Sequence, residues 1–219
     1  MAMNRPSIAP TDRTRVRRMP ERGRYDAATV HAILDASIVC HVGFVIDDRP
    51  CVIPTLHARV DDRLYLHGAS VSRMIQGGRD GIDLCVTVTL IDGFVLGRSP
   101  FFHSVNYRSV VVFGRGTMVA DPERKREALR LFTDAVVRDR WEQLREPTEQ
   151  ELKATGVLEV PIVEASAKVR TGWPRDSDED ASQPVWAGVV PMRTTLGVPE
   201  LDPRAPAGLP AFEVSRLRV

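Results

Sequence analysis

Apolar and polar positions alternate with a period of two along several short stretches of this chain, as they do in strands that bury one face. Ile38–Ile46 and Cys51–Val60 are rich in Val and Ile, and Asp47-Asp48-Arg49-Pro50 between them reads as a hairpin turn. Arg63–Leu66 is a third strand, entered through Asp61-Asp62. Asp83–Leu90 is a fourth, and Ile91-Asp92-Gly93-Phe94 turns the chain into Val95–Gly97. Tyr107–Val119 is a long strand in which Gly114 and Gly116 mark bulges or close approaches. Val157–Val169 reads as one further strand and Trp186–Met192 as the last.

The helical period is rarer. Tyr25–Ala36 carries Val30, Ile33 and Leu34 on one face, with Asp26 placed to cap it. Asp121-Pro122-Glu123 opens a second helix with Asp at the cap and Pro in the first turn. Its Ala128, Leu131, Phe132, Ala135 and Val136 face inward at helical spacing, and core packing accounts for them. Short helices are expected at Met74–Gln76, ended by Gly77-Gly78, and at Glu149–Ala154. Arg175–Gln183 is polar and reads as a mobile loop. The pattern divides the chain into an Arg- and Pro-rich arm (1–24), one domain (25–193) and an extended tail rich in Pro and Gly (194–219). Many short strands, few helices and no repeated βαβ unit predict a mainly-β fold, an antiparallel β-barrel with a few helices.

Composition narrows the function. The 219 residues carry 30 basic and 29 acidic side chains, so no global field recruits nucleic acid or an anionic membrane. The basic arm lacks the aromatic interleaving of a nucleic-acid-binding segment. No apolar run is long enough to span a bilayer and none follows the N-terminal arginines, so the expected location is cytoplasmic. Cys40, Cys51 and Cys85 each lie in an apolar run, which suits core packing rather than a disulfide or zinc site.

Candidate chemistry concentrates in Leu64-Tyr65-Leu66-His67-Gly68-Ala69-Ser70-Val71-Ser72-Arg73-Met74. An alternating strand breaks at Gly68 and restarts as a helix, with hydroxyls and an arginine at the joint. Free backbone N–H groups, short donors and a guanidinium make a phosphate site. An ordinary cap by Ser70 explains the same residues. Ser72 and Arg73 are the first choices for the phosphate, then Ser70 and His67. Val52, Ile53, Pro54 and Thr55 could wall a planar ligand, since Pro54 has no N–H and suits an edge or irregular strand position. His67 follows an apolar strand and precedes a glycine. A neutral imidazole there could hydrogen-bond a ligand or relay a proton, or serve structure alone. His41 and His103 read as structural. Strand alternation puts Tyr107 and Ser109 on one face and Arg108 on the other.

Leu66-His67-Gly68, Ser104-Val105-Asn106-Tyr107-Arg108-Ser109-Val110 and Trp186-Ala187-Gly188-Val189-Val190-Pro191 stand in an order that resembles one family. It is that of the flavin-nucleotide-binding proteins related to pyridoxamine 5'-phosphate oxidase, including the Nim-type nitroimidazole-resistance branch. The likeness runs from about Tyr25 to about Pro191. It implies an FMN-binding split barrel that forms a homodimer with flavin at the subunit interface. It maps the flavin phosphate onto the turn that holds Gly68, Ser70, Ser72 and Arg73. It matches His67 to a histidine associated with redox chemistry beside the flavin, the one catalytic candidate. Arg108 or Ser109 would touch flavin, and Trp186, Lys168 and Arg170 would complete the site from the partner subunit. The C-terminal Arg-x-His pattern of pyridoxamine phosphate oxidase itself is replaced by Met192-Arg193-Thr194-Thr195, so vitamin B6 oxidation is not expected. The implied activity is flavin-dependent reduction of a small electron-poor substrate such as a nitroheterocycle. A non-catalytic flavin carrier or sensor, or a split barrel using FAD, deazaflavin or haem, remain as alternatives.

Overall fold

The computed structural model describes residues 7–217. The strands are β1 (Gly23–Arg24), β2 (Val39–Ile46), β3 (Arg49–Val60), β4 (Arg63–Ala69), β5 (Ile82–Leu96), β6 (Ser104–Met118), β7 (Thr155–Pro161), β8 (Glu164–Arg170) and β9 (Gly188–Pro191). The helices are α1 (Ala27–Asp35), α2 (Arg73–Gly77), α3 (Pro122–Val136), α4 (Glu149–Ala154) and α5 (Asp178–Ala181). All strand pairings are antiparallel, and six strands close a ring in the order β6, β7, β4, β3, β2, β5 and back to β6. β8 continues from β6 and carries β1, while β9 hangs on β5. The fold is the mainly-β barrel that the alternation predicts.

Alternation decides what fills the ring. Cys40, Val42 and Phe44 of β2, Leu64 and Leu66 of β4, Val86 and Val88 of β5 and Val110 and Val112 of β6 point into one core. Burial pushes the Cys40 thiol up to about 12, so it packs as a small apolar residue. α1 presents Val30, Ile33 and Leu34 to this same core, and Asp26 caps it by accepting from Thr29 N–H at 2.9 Å. α3 lies on the outer face of β3, β4 and β7, where Phe132 and Ala128 join Ala58, Val119 and Val157 in a second cluster. Asp121 caps α3 through Arg124 N–H at 2.8 Å, with Pro122 in its first turn.

Several boundaries differ from the pattern. The β2–β3 turn is only Asp47-Asp48, both left-handed (φ 51° and 57°), and Arg49 and Pro50 already belong to β3. Asp92-Gly93 does not turn the chain. β5 runs 15 residues straight through, with a register shift between Ile91 and Gly93. Gly93 serves there as the point of close approach: a Cβ would stand 2.7 Å from the Val190 carbonyl oxygen. A Cβ on Gly114 or Gly116 would likewise stand 2.7 Å from a Val160 or Leu84 side-chain carbon. The run expected as one strand over Val157–Val169 is two. Pro161 ends pairing with β4, Ile162 N–H bonds Asp62 C=O at 2.8 Å, and β8 then pairs with β6. The last strand is shorter than expected, Gly188–Pro191, and the polar loop before it contains α5.

The barrel is split between β3 and β4. They pair from His57↔Leu66 to Val60↔Arg63 and then part, so residues 49–56 of β3 hold β2 on one edge only. Pro50 and Pro54 lie on this segment. On the N-terminal side, Ile8 N–H bonds Tyr25 C=O at 2.8 Å, and Arg13 pairs with Glu164 and stacks over Phe113. Among the described residues no helix is long and apolar enough to cross a membrane.

Candidate functional site

β4 sends Leu64 and Leu66 inward and Tyr65 and His67 outward, beneath α3. α3 meets them with Leu129, Phe132, Thr133 and Val136, spaced i, i+3, i+4, i+7 on one face. Together with Leu56 and Trp141 they line a cavity of about 380 Å³. The His67 ring lies 4.5 Å from the Phe132 ring, centroid to centroid, tilted by 46°. Burial lowers the His67 pKa, so the imidazole is neutral at neutral pH. Its Nδ1 is buried without a hydrogen-bond partner. An unpaired imidazole facing apolar and aromatic walls is an open ligand position.

The one carboxylate at this cavity is already balanced. Glu151 bonds Arg145 Nη2 at 2.6 Å and accepts from Thr148 N–H at 2.8 Å in a capping box for α4. Arg145, then Thr148, hold its pKa at about 2.

The split brings the first group of expected site residues together. Thr55 Oγ1 donates to the His67 carbonyl at 3.3 Å across the gap where β3 leaves β4. Val52, Ile53 and Pro54 lead up to it along the open edge, and Val52 is 66% exposed. Beyond His67 the strand continues through Gly68 to Ala69, rather than breaking at the glycine, and Gly68 pairs with Gly156. Ser70 N–H bonds the Ala154 carbonyl at 2.7 Å. The cap of α2 is Ser72, not Ser70: its hydroxyl accepts from Ile75 N–H at 3.4 Å. Arg73 is exposed and has no acidic partner among the described residues.

The second group lies elsewhere in the subunit. Ser109 pairs with Lys168 in register, and its hydroxyl donates to the Lys168 carbonyl at 3.4 Å. Arg108 grips Asp92 with Nε at 3.0 Å and Nη2 at 2.8 Å. Trp186 is 63% exposed beside Gly188 at the far end of β5. β6 reaches β7, the neighbour of the His67 strand, only at Thr117 and Met118, so Ser109 and its partners sit toward the opposite end of β6. One subunit does not bring the two groups together. Of the histidines expected to be structural, His103 places Nδ1 3.0 Å from the Ser99 carbonyl, and His41 is exposed on β2. Of the cavity walls on α3, Phe132 and Val136 read as core from the sequence, while Leu129 and Thr133 carry no signal of their own there. Their i, i+3, i+4, i+7 stripe at 129, 132, 133 and 136 is the signal that marks them.

This geometry has close counterparts. The flavocytochrome Anf3 from Azotobacter vinelandii is 43% identical, with 98% of this chain and 100% of that one aligned at a TM-score of 0.91. The FAD and haem binding protein from Mycobacterium smegmatis is 35% identical over 89% of this chain and 96% of that one, with a TM-score of 0.84. A Bacteroides thetaiotaomicron protein named for 5-nitroimidazole antibiotic resistance shares the fold at 23% identity, covering 67% of this chain and 86% of that one, with a TM-score of 0.55. No curated protein matches the chain. The family model described as pyridoxamine 5'-phosphate oxidase matches residues 26–169, which hold every strand of the closed ring and the split bordered by Thr55 and His67. By that match the chain belongs to the pyridoxamine 5'-phosphate oxidase family.

Proposed function

We propose that this protein is a flavocytochrome, which binds FAD and a haem and passes electrons through the pair. The observation that carries the reading is His67: a neutral, unpaired imidazole at an aromatic-walled cavity of about 380 Å³. A haem needs such a nitrogen as axial ligand and apolar walls to keep water from the iron. His67 would be that ligand, and Phe132, Leu56, Val136 and Trp141 the walls. This role replaces the flavin-facing one suggested by the motif alone. Two relatives above 30% identity are named for a flavocytochrome and for FAD with haem, which supports both groups together and favours FAD over FMN.

The flavin would lie along the open edge at Val52, Ile53, Pro54 and Thr55, with Arg73, Ser70 and Ser72 near its phosphates. In a homodimer a second copy would bring Arg108, Ser109, Lys168 and Trp186 to the same ligand from its own far end. Bound together, a flavin supplies two-electron chemistry and a haem one-electron chemistry. The chain supplies the orientation and the dry surroundings. Reduction of a nitroheterocycle draws its support from the fold alone, so the substrate we favour is an electron acceptor that meets the haem or flavin directly.

The visible spectrum of the purified protein tests the reading. A Soret band over two flavin bands, with FAD released on denaturation, is expected. His67→Ala should lose the Soret band and keep the flavin bands. Wild type that takes up no haem when reconstituted with it would end the flavocytochrome reading. Reduction of the flavin without transfer to the haem would reduce the protein to a carrier.

A further inference from the structure

The outer face of β6 and β8 carries a cluster of positive charge around an arginine that has no acidic partner among the described residues. Arg170, the last residue of β8, is buried at 6% exposure. Among the described residues it bonds only a neutral group, Nη1 to Asn106 Oδ1 at 2.5 Å. Asn106 is fixed in turn by its Nδ2, which donates to the Gly172 carbonyl at 3.1 Å. A guanidinium has five N–H donors, and one of them accounts for this contact. Its charged neighbours are Arg22 and Arg175. Burial, then these two cations, lower the Arg170 pKa, while Tyr107 works the other way.

The carboxylate beside Arg175 is committed to another partner. Asp176, next to Arg175, accepts from Arg98 N–H and Nη1, both at 2.9 Å, and is 5% exposed. Glu21 reaches Arg22 only at 4.0 Å. Lys168, two residues before Arg170 on the same face of β8, adds a further positive charge without an acidic partner among the described residues. Register brings Tyr107 against Arg170 and Ser109 against Lys168, so hydroxyls border the cations. A buried charge without an opposite charge is costly to hold, and three like charges around it raise that cost. Such an arrangement persists where an anion completes it.

We propose that Arg170, Arg22, Arg175 and Lys168 form a binding site for a phosphate or diphosphate group, separate from the His67 cavity. Forked guanidiniums match the oxygens of a phosphate, and the bordering hydroxyl of Tyr107 adds a neutral donor. Two sources share this chemistry: the diphosphate of FAD held across a dimer, or a separate phosphorylated ligand. The first source rests on the flavin reading above; the second does not.

The test compares wild type with Arg22→Ala/Arg175→Ala, which removes two exposed or partly exposed cations and leaves buried Arg170 in place. Two quantities are read on the protein as purified: calorimetric affinity for inorganic pyrophosphate, and flavin retained through gel filtration. If pyrophosphate binds wild type and the double variant loses about tenfold in affinity or more, the site takes a separate phosphorylated ligand. If wild type ignores pyrophosphate while the variant sheds FAD but keeps riboflavin affinity, FAD's diphosphate fills the site. A colourless protein that binds pyrophosphate at this cluster keeps the site and removes the flavin reading. Unchanged pyrophosphate binding and unchanged flavin content in the variant overturn the proposal. So does a variant whose only defect is loss of the dimer, because the counter-charge is then a partner carboxylate.

Discussion

His57 and His67 stand on adjacent strands and face opposite sides of the sheet. His57 points inward, where its Nε2–H donates to the Leu34 carbonyl at 3.0 Å, while Nδ1 is buried without a partner. His67 points outward under Phe132. Burial lowers the pKa of both, and for His57 the Leu34 carbonyl and Asp35 only partly oppose it. The unfolded chain binds protons at these groups near pH 6.5, where the folded protein refuses them. In that window the unfolded state holds more protons, so stability rises with pH and falls as pH drops below about 6.5. His57 contributes at most about 1.4 kcal/mol per pH unit to this slope. Urea midpoints of the cofactor-free protein should decline from about pH 7 to about pH 5. His57→Gln should flatten the decline, and an unchanged slope in that variant would show that other groups set it. Arg73 is exposed and free of acidic partners, so Arg73→Ala should leave the melting temperature nearly unchanged. If it faces a flavin phosphate, it should weaken flavin binding about tenfold. Equal flavin occupancy in mutant and wild type would remove Arg73 from the site.

The elements differ in how plainly the sequence announces them, and the reasons are local. Asp26 and Asp121 are unambiguous because a cap satisfies its own helix without help from elsewhere. β5 misleads because Asp92-Gly93 has turn chemistry, yet both residues are used within a strand. The Asp92 carboxylate holds Arg108, its carbonyl accepts from Met192 N–H at 3.0 Å, and Gly93 lets β9 come close. Gly93→Ala should therefore push β9 off β5, at a cost of about 1–3 kcal/mol. Hydrogen exchange at Met192 N–H should quicken first, and full protection there would show that β9 can shift to accept the methyl group. β7 and β8 merge in the pattern because strand pairing changes partner at Pro161 without any polar turn. The His67 strand could be read, since its period of two fixes the face. The opposite wall could not, because Phe132 and Val136 look alike whether they fill a core or line a cavity.

Across the whole molecule, the ring closes through pairings remote in sequence, such as Leu66↔Leu158 and Gly43↔Cys85. The β2–β3 and β3–β4 hairpins are local. Loop-closure entropy makes the remote pairings slow to form, so the hairpins wait for the rest. While they wait, residues 49–56 of β3 offer another chain an unpaired edge that includes exposed Val52. A proline paired with β2 without breaking the ladder must turn its missing N–H toward the open side, and Pro50 and Pro54 both do so. They remove two donors from the edge that a foreign strand would need. Pro54→Thr should leave native stability within about 1 kcal/mol and increase light scattering when unfolded protein is diluted into buffer. Identical scattering would mean that the edge is hidden before it can be captured. The split that opens the subunit to a ligand thus also makes the newly made chain vulnerable to its own copies, and the prolines act as gatekeepers during that interval.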